Sequence, residues 1–178
     1  VLARPFDILR EAQEALRERN FMNFDPSKLT TINISENGRK IRLQKLETGE
    51  NDWQVLESNG ENEIQPYRAD PAIMDSLLKN LSTLRASGFT ADAPTASDNE
   101  NFGFNNPRRV VTLSFSVGDP LTLMLAHPQG REDVLYAKTN LADFIFEVER
   151  YTTLRMIPLD TNYYRNRLLD MLPSAARI

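Results

Sequence analysis

Cysteine is absent from all 178 residues, which excludes disulfides, thiolate zinc sites and cysteine nucleophiles together. Histidine occurs once, as His127, so only one side chain has an unperturbed pKa near neutrality. Glycine is scarce at 7 residues, and neither a Gly-rich phosphate loop nor a Gly-x-Ser-x-Gly elbow is present. No apolar run approaches the ~20 residues of a membrane-spanning helix. Excess positive charge is missing as well. Against 25 Asp and Glu stand 21 Lys and Arg, giving a net charge of −4 and a pI near 5.1, which argues against a nucleic-acid ligand. With these absences, no catalytic set, metal site or cofactor is expected.

What remains is globular: 40% hydrophobic and 26% charged residues, in a chain long enough to bury roughly 70% of its unfolded surface as one domain. The chain starts at Val1 with neither Met nor a signal-like segment, which reads as a piece of a longer protein with its anchor or signal upstream. Lack of cysteine fits an oxidising compartment, although cytoplasmic domains also can lack it.

The two ends carry the same phrase. Arg17 and Arg19 fall on Arg165 and Arg167, Phe21-Met22-Asn23 on Leu168-Leu169-Asp170, and Pro26-Ser27 on Pro173-Ser174, with one gap. The prolines are 173 − 26 = 147 positions apart, which suggests one repeat plus the opening of the next. The organisation expected is a helical lead-in over 1–24, a single domain over 25–170 and the start of a following repeat over 171–178. For Arg17, Arg19, Arg165 and Arg167 the structural reading is cations complementing a helix C-terminus; the functional one is an interaction site for an acidic partner.

Periodicity predicts a helix over 5–19, with Phe6, Leu9, Ala12 and Leu16 on one face. Asp25-Pro26 caps a single turn. Alternation around Ile32, Ile34, Ile41 and Leu43 about Asn37-Gly38 predicts a β-hairpin, and 52–56, with Trp53, a third strand. Asp70-Pro71 opens a helix striped by Ile73, Leu77, Leu81 and Leu84, with Gly88 as its stop. The stretch 89–107 reads as loop, broken by one helical turn capped through Ser97 and Glu100. Strands are expected again at 109–115, 121–125, 134–136 and 143–148, then helix over 151–157 and 160–170. The fold class is therefore α+β: an antiparallel sheet built from two β-meander-plus-helix units, with helices packed on it.

Four features invite a chemical reading. His127 would need an acid or nucleophile within hydrogen-bond reach, and a polar turn residue is the simpler account. The acidic stretch 92–100 invites a calcium reading: Asp98, Glu100 and Gly103 match positions of a calcium loop, but Phe102 stands where an oxygen ligand belongs; a solvated loop is preferred. Trp53, Tyr67, Tyr163 and Tyr164 could stack on a ligand, yet alternation with Val55 places Trp53 in the core. Arg108-Arg109 reads as a solvated strand start.

Several landmarks, in order, resemble the domain of unknown function 4340 family. They are Trp53, Ala69-Asp70-Pro71, Phe102-Gly103-Phe104-Asn105-Asn106-Pro107 before Val110-Val111-Thr112-Leu113, Leu121-Thr122-Leu123, Tyr136-Ala137-Lys138 and Tyr164-Arg165-Asn166-Arg167-Leu168-Leu169. One departure is Ala126-His127-Pro128, where the family commonly has a Gly after the Thr-Leu strand. The resemblance implies tandem domains behind a membrane anchor, in bacterial proteins linked with ABC-2-type or gliding-motility-type transporter systems. It implies no catalytic or binding residues. Two functions follow as expectations. The first is a non-catalytic module with protein partners, a neighbouring repeat or transporter subunits, and no nucleic acid. The second is an enzyme or small-ligand binder whose site lies between repeats.

Overall fold

In the computed structural model, residues 19–47, 52–59, 62–63 and 66–167 are described. The helix expected over 5–19 lies outside them except for Arg19.

Asn37 and Gly38 both have positive φ, 51° and 79°, as a two-residue hairpin turn matching the twist of its strands requires. The turn joins β1 (Leu29–Glu36) to β2 (Arg39–Lys45), with Ile32 opposite Leu43 and Ile34 opposite Ile41. All four are buried, while the alternate positions Asn33 and Arg42 face away. β3 (Trp53–Asn59) continues the meander, and its outer side pairs with β4 (Asn62–Glu63) and β5 (Tyr67–Arg68).

After α1 (Pro71–Ser82), β6 (Gly88–Asp92) and α2 (Ala96–Asn101), a second run follows: β7 (Arg109–Phe115), β8 (Leu121–Ala126), β9 (Leu135–Thr139) and β10 (Phe144–Val148). β1 pairs with β7, so the ten strands form one sheet in the order β4-β3-β2-β1-β7-β8-β9-β10-β6, with β5 beside β3. Every pairing is antiparallel. Together with helices α1, α2, α3 (Arg150–Met156) and α4 (Thr161–Tyr164), this is an α+β fold with an antiparallel sheet.

Several expectations are corrected. The segment 88–92 is no loop: it pairs with β10 across a bulge, held by Phe89 against the rings of Phe144 and Phe146. Its short, weakly alternating sequence carries no strand signal; the pairing is tertiary. Helix α1 ends at Ser82, well before Gly88, and Leu84 and Ala86 are buried in the extended run into β6. The capping box of α2 is Thr95 with Asp98, two residues earlier than Ser97 with Glu100. The helix expected over 160–170, of which 168–170 lie outside the described residues, breaks after Tyr164, because the backbone is drawn to the entrance of α1. Asp70 N–H donates to Tyr164 O (2.8 Å), Arg165 bridges Ala69, and Asn166 N–H donates to Arg68 O (2.9 Å).

The main core lies on one sheet face, under α1, α3 and α4. Met74, Leu77 and Leu81 of α1 meet Ile32, Leu43, Trp53, Leu113 and Leu123, with Ile157 and Tyr164 closing it. Phe21 and Met22 belong to this core, Phe21 stacking on Phe146 at 4.5 Å. A smaller cluster of Phe104, Ala126 and Ile145 forms on the opposite face.

Candidate interaction surface

The repeated arginines are not gathered into one site. Arg165 has extended backbone past the end of α4, and its guanidinium lies 4.2 Å from the centre of the Tyr67 ring. With the bridge to Ala69, it straps the outgoing chain along β5. Arg165 is also the C-cap residue of α4. Arg19 sits by the run into β6: its carbonyl accepts from Ala86 N–H (2.8 Å), and Asn20 bridges Arg85 while its amide donates to Ser82 O (3.0 Å). Arg167 is exposed, and Arg17 lies outside the described residues.

His127 is half-buried, its Nδ1 3.3 Å from Pro128 O. The nearby Asp133 is exposed and pairs with Arg131 at 3.3 Å. Gly103, at φ +84°, packs so tightly on the His127 carbonyl that a Cβ there would collide with it. The structure assembles no general-base arrangement around the ring among the described residues.

A charge cluster was missed by the sequence reading. Arg109 is only 6% exposed, not solvated. Its Nε donates to Glu36 (2.6 Å), and its Nη1 donates to Leu154 O (3.0 Å) and Ile157 O (2.5 Å), capping the end of α3. Arg108 completes the group at 3.2 Å from Glu36. The available signal was positional: Glu36 ends β1 and Arg109 opens β7, so antiparallel pairing brings them to one end of the sheet.

Two grooves flank α1. One, of about 650 Å³, runs between α1 and α3–α4, lined by Asn80, Tyr151, Arg155, Met156, Pro158 and Tyr163. Tyr151 is 73% and Tyr163 46% exposed there. The other, of about 540 Å³, is bordered by Ser27, Lys45, Lys79 and Ser82, with Leu78 and the buried Trp53 beneath. A third, of about 530 Å³, lies under α2 on the opposite face, where Lys138 Nζ donates to Asn99 Oδ1 (3.0 Å).

The family profile described as "Domain of unknown function (DUF4340)" matches the chain twice, over residues 3–95 and 61–169. The chain belongs to the DUF4340 family. No curated protein and no solved structure matches it.

The shifted titratable groups in this DUF4340 chain have structural causes. Hydrogen bonds from Ser27, Thr95 and Thr152 hold the carboxyls of Asp25, Asp98 and Glu149 below their ordinary values; Asp25 and Glu149 are helix N-caps, and Asp98 reaches back to the N-cap Thr95. The Arg131 guanidinium lowers Asp133 and is itself raised. Burial pushes the Tyr164 phenol well above its ordinary value, and its hydroxyl donates to Pro158 O (2.7 Å). Asp98, one of the calcium-loop positions, is therefore committed to a cap. Among the described residues no group of three or more His, Asp or Glu could hold a metal, and no helix is long and apolar enough to cross a membrane.

Proposed function

We propose that this DUF4340 chain is a non-catalytic interaction or structural module, one unit of a tandem array. The array is extracytoplasmic, tied to the inner membrane by an anchor upstream, and accessory to a bacterial ABC-type transporter or surface-assembly complex. Its partners are proteins: neighbouring units and transporter subunits. The observation that carries this reading is the strap at Arg165, where a phrase echoed at the other end of the sequence is clasped to a sheet edge. Two exposed tyrosines beside an apolar groove add a surface suited to protein contacts.

The unit itself is read as two meander-plus-helix halves. In support, β1–β3 and β7–β9 run outward from the central β1–β7 pair, and Gly38 and Gly118 both take positive φ between the first two strands of each run. Cross-linking of the full-length protein in its native membrane, followed by mass spectrometry, tests the function. Trapped transporter or assembly subunits support the module; a protein recovered alone with a bound metabolite points to a ligand site instead.

A further inference from the structure

Lys45 breaks the polarity pattern of its strand. On β2 the side chains of Ile41 and Leu43 enter the core, and Lys45 continues their alternation, half-buried and opposite Trp53 of β3. An apolar side chain at that position would extend the core. The lysine instead brings an ammonium to the groove of about 540 Å³ beside α1, where its Nζ lies 3.5 Å from Ser27 O. Taking a charge out of water costs free energy unless a partner compensates it. Among the described residues no carboxylate lies within ion-pair distance of Lys45, nor of Lys79 on the α1 side of the groove.

The groove around these two ammoniums is built from fixed pieces. One wall is the single helical turn Pro26–Lys28, held by Asp25, whose carboxylate accepts from Ser27 N–H (3.0 Å) and from the Ser27 hydroxyl (2.7 Å). The other is the end of α1, where the Ser82 hydroxyl donates to Lys79 O (3.0 Å). Leu78 and the buried Trp53 supply an apolar floor. Lys79 has a structural reason for its place, since a cation in the last turn suits a helix C-terminus. Lys45, in mid-sheet, has no such terminus to complement. Asp75 sets one carboxylate against the two ammoniums, so the lining carries 2 − 1 = +1.

We propose that this groove binds a small amphiphilic carboxylate. The monoanionic head lies between Lys45 and Lys79 and neutralises the lining, and the apolar body covers Leu78 and Trp53. A dianion such as phosphate would leave excess negative charge beside Asp75 and gain nothing from the floor. The volume falls within the range of about 300–1,000 Å³ common to small-molecule sites. The site lies inside one unit and needs no neighbouring one, so it stands apart from the array proposed above.

Trp53 is the single tryptophan of the chain and lines the groove, so its emission reports occupancy directly. Phenylacetate, phenylacetamide and inorganic phosphate are titrated into the full 178-residue chain. Phenylacetate is expected to saturate with a Kd of about 1 mM or below, and the uncharged amide and phosphate to bind at least about tenfold more weakly. Lys45→Met and Lys79→Met each weaken phenylacetate by about tenfold or more, while Lys40→Gln, an exposed lysine on the other face of β2, leaves it unchanged. Circular dichroism checks that each variant is folded. Should Lys45→Met not fold, Asp75→Asn on the exposed side of α1 decides in its place, since removing the opposing charge tightens phenylacetate. Failure of phenylacetate to saturate below about 10 mM overturns the site. Equal binding of the amide or of phosphate overturns the ligand class, and an equal loss in Lys40→Gln reduces the effect to overall charge and overturns both.

Discussion

Replacing Arg109 with Met tests the tie between the sheet and α3. Met keeps much of the buried aliphatic volume but removes the cation from Glu36 and the donors from Leu154 O and Ile157 O. The Arg109 and Glu36 side chains are 7% and 11% exposed, so the stranded carboxylate gains little from solvent. Breaking one member of a buried pair costs about 3–5 kcal/mol. Arg108, 3.2 Å from Glu36 and 28% exposed, remains as a partial partner and moves the expectation to the lower end, about 3 kcal/mol. For a domain of this size that corresponds to a fall in melting temperature of about 6–12 °C.

Urea denaturation followed by far-UV circular dichroism measures the loss, with a lowered midpoint and unchanged slope as the signature. The double variant Glu36→Gln with Arg109→Met removes the stranded charge and recovers at least about 1 kcal/mol of the sum of the two single losses. A single variant within about 0.5 kcal/mol of wild type, or strictly additive losses, refutes the coupling.

Trp53→Ala removes a side chain only 2% exposed between β3 and α1 and is expected to cost about 3–5 kcal/mol by chemical denaturation. A variant melting like wild type returns Trp53 to the surface. Gly103→Ala meets both an unfavourable φ and the His127 carbonyl, and should cost on the order of 2–4 kcal/mol. Gly118→Ala, at φ +102° in open space, should lose only about 1 kcal/mol; equal losses at the two sites refute the contact. The caps at Asp98 and Glu149 have folded pKa values below the ordinary 3.8 and 4.5. Their contribution is complete above those values and is lost as pH falls through the lower folded ones. Acid melts between about pH 6 and 2 should therefore show a shallower loss for Glu149→Gln than for wild type.

The fold was legible wherever local chemistry determines local structure. Asn37-Gly38 specifies its hairpin because the turn needs two positive φ values, and Asp70-Pro71 starts α1 because the carboxylate accepts from Ala72 and Ile73 N–H. β6 was hidden because its strand character comes from Phe144 and Phe146, more than fifty residues away. The end of α4 was hidden for the same reason: residues 165–166 read as helix, but backbone contacts to the entrance of α1 pull them straight. Arg109 looked solvated because nothing local shows that Glu36 and the end of α3 converge on it.

The turn after β8, Ala126-His127-Pro128, meets the chain after α2 at a close backbone contact. Gly103, whose missing Cβ lets the chain after α2 press on the His127 carbonyl, supplies a close backbone approach there. Ala126 is fully buried beside Phe104 and Ile145 at this contact. His127 is then held by its backbone in a packing contact. If its ring had a chemical task, Gly103→Ala would disturb it as well as stability; a purely structural role leaves stability as the only casualty.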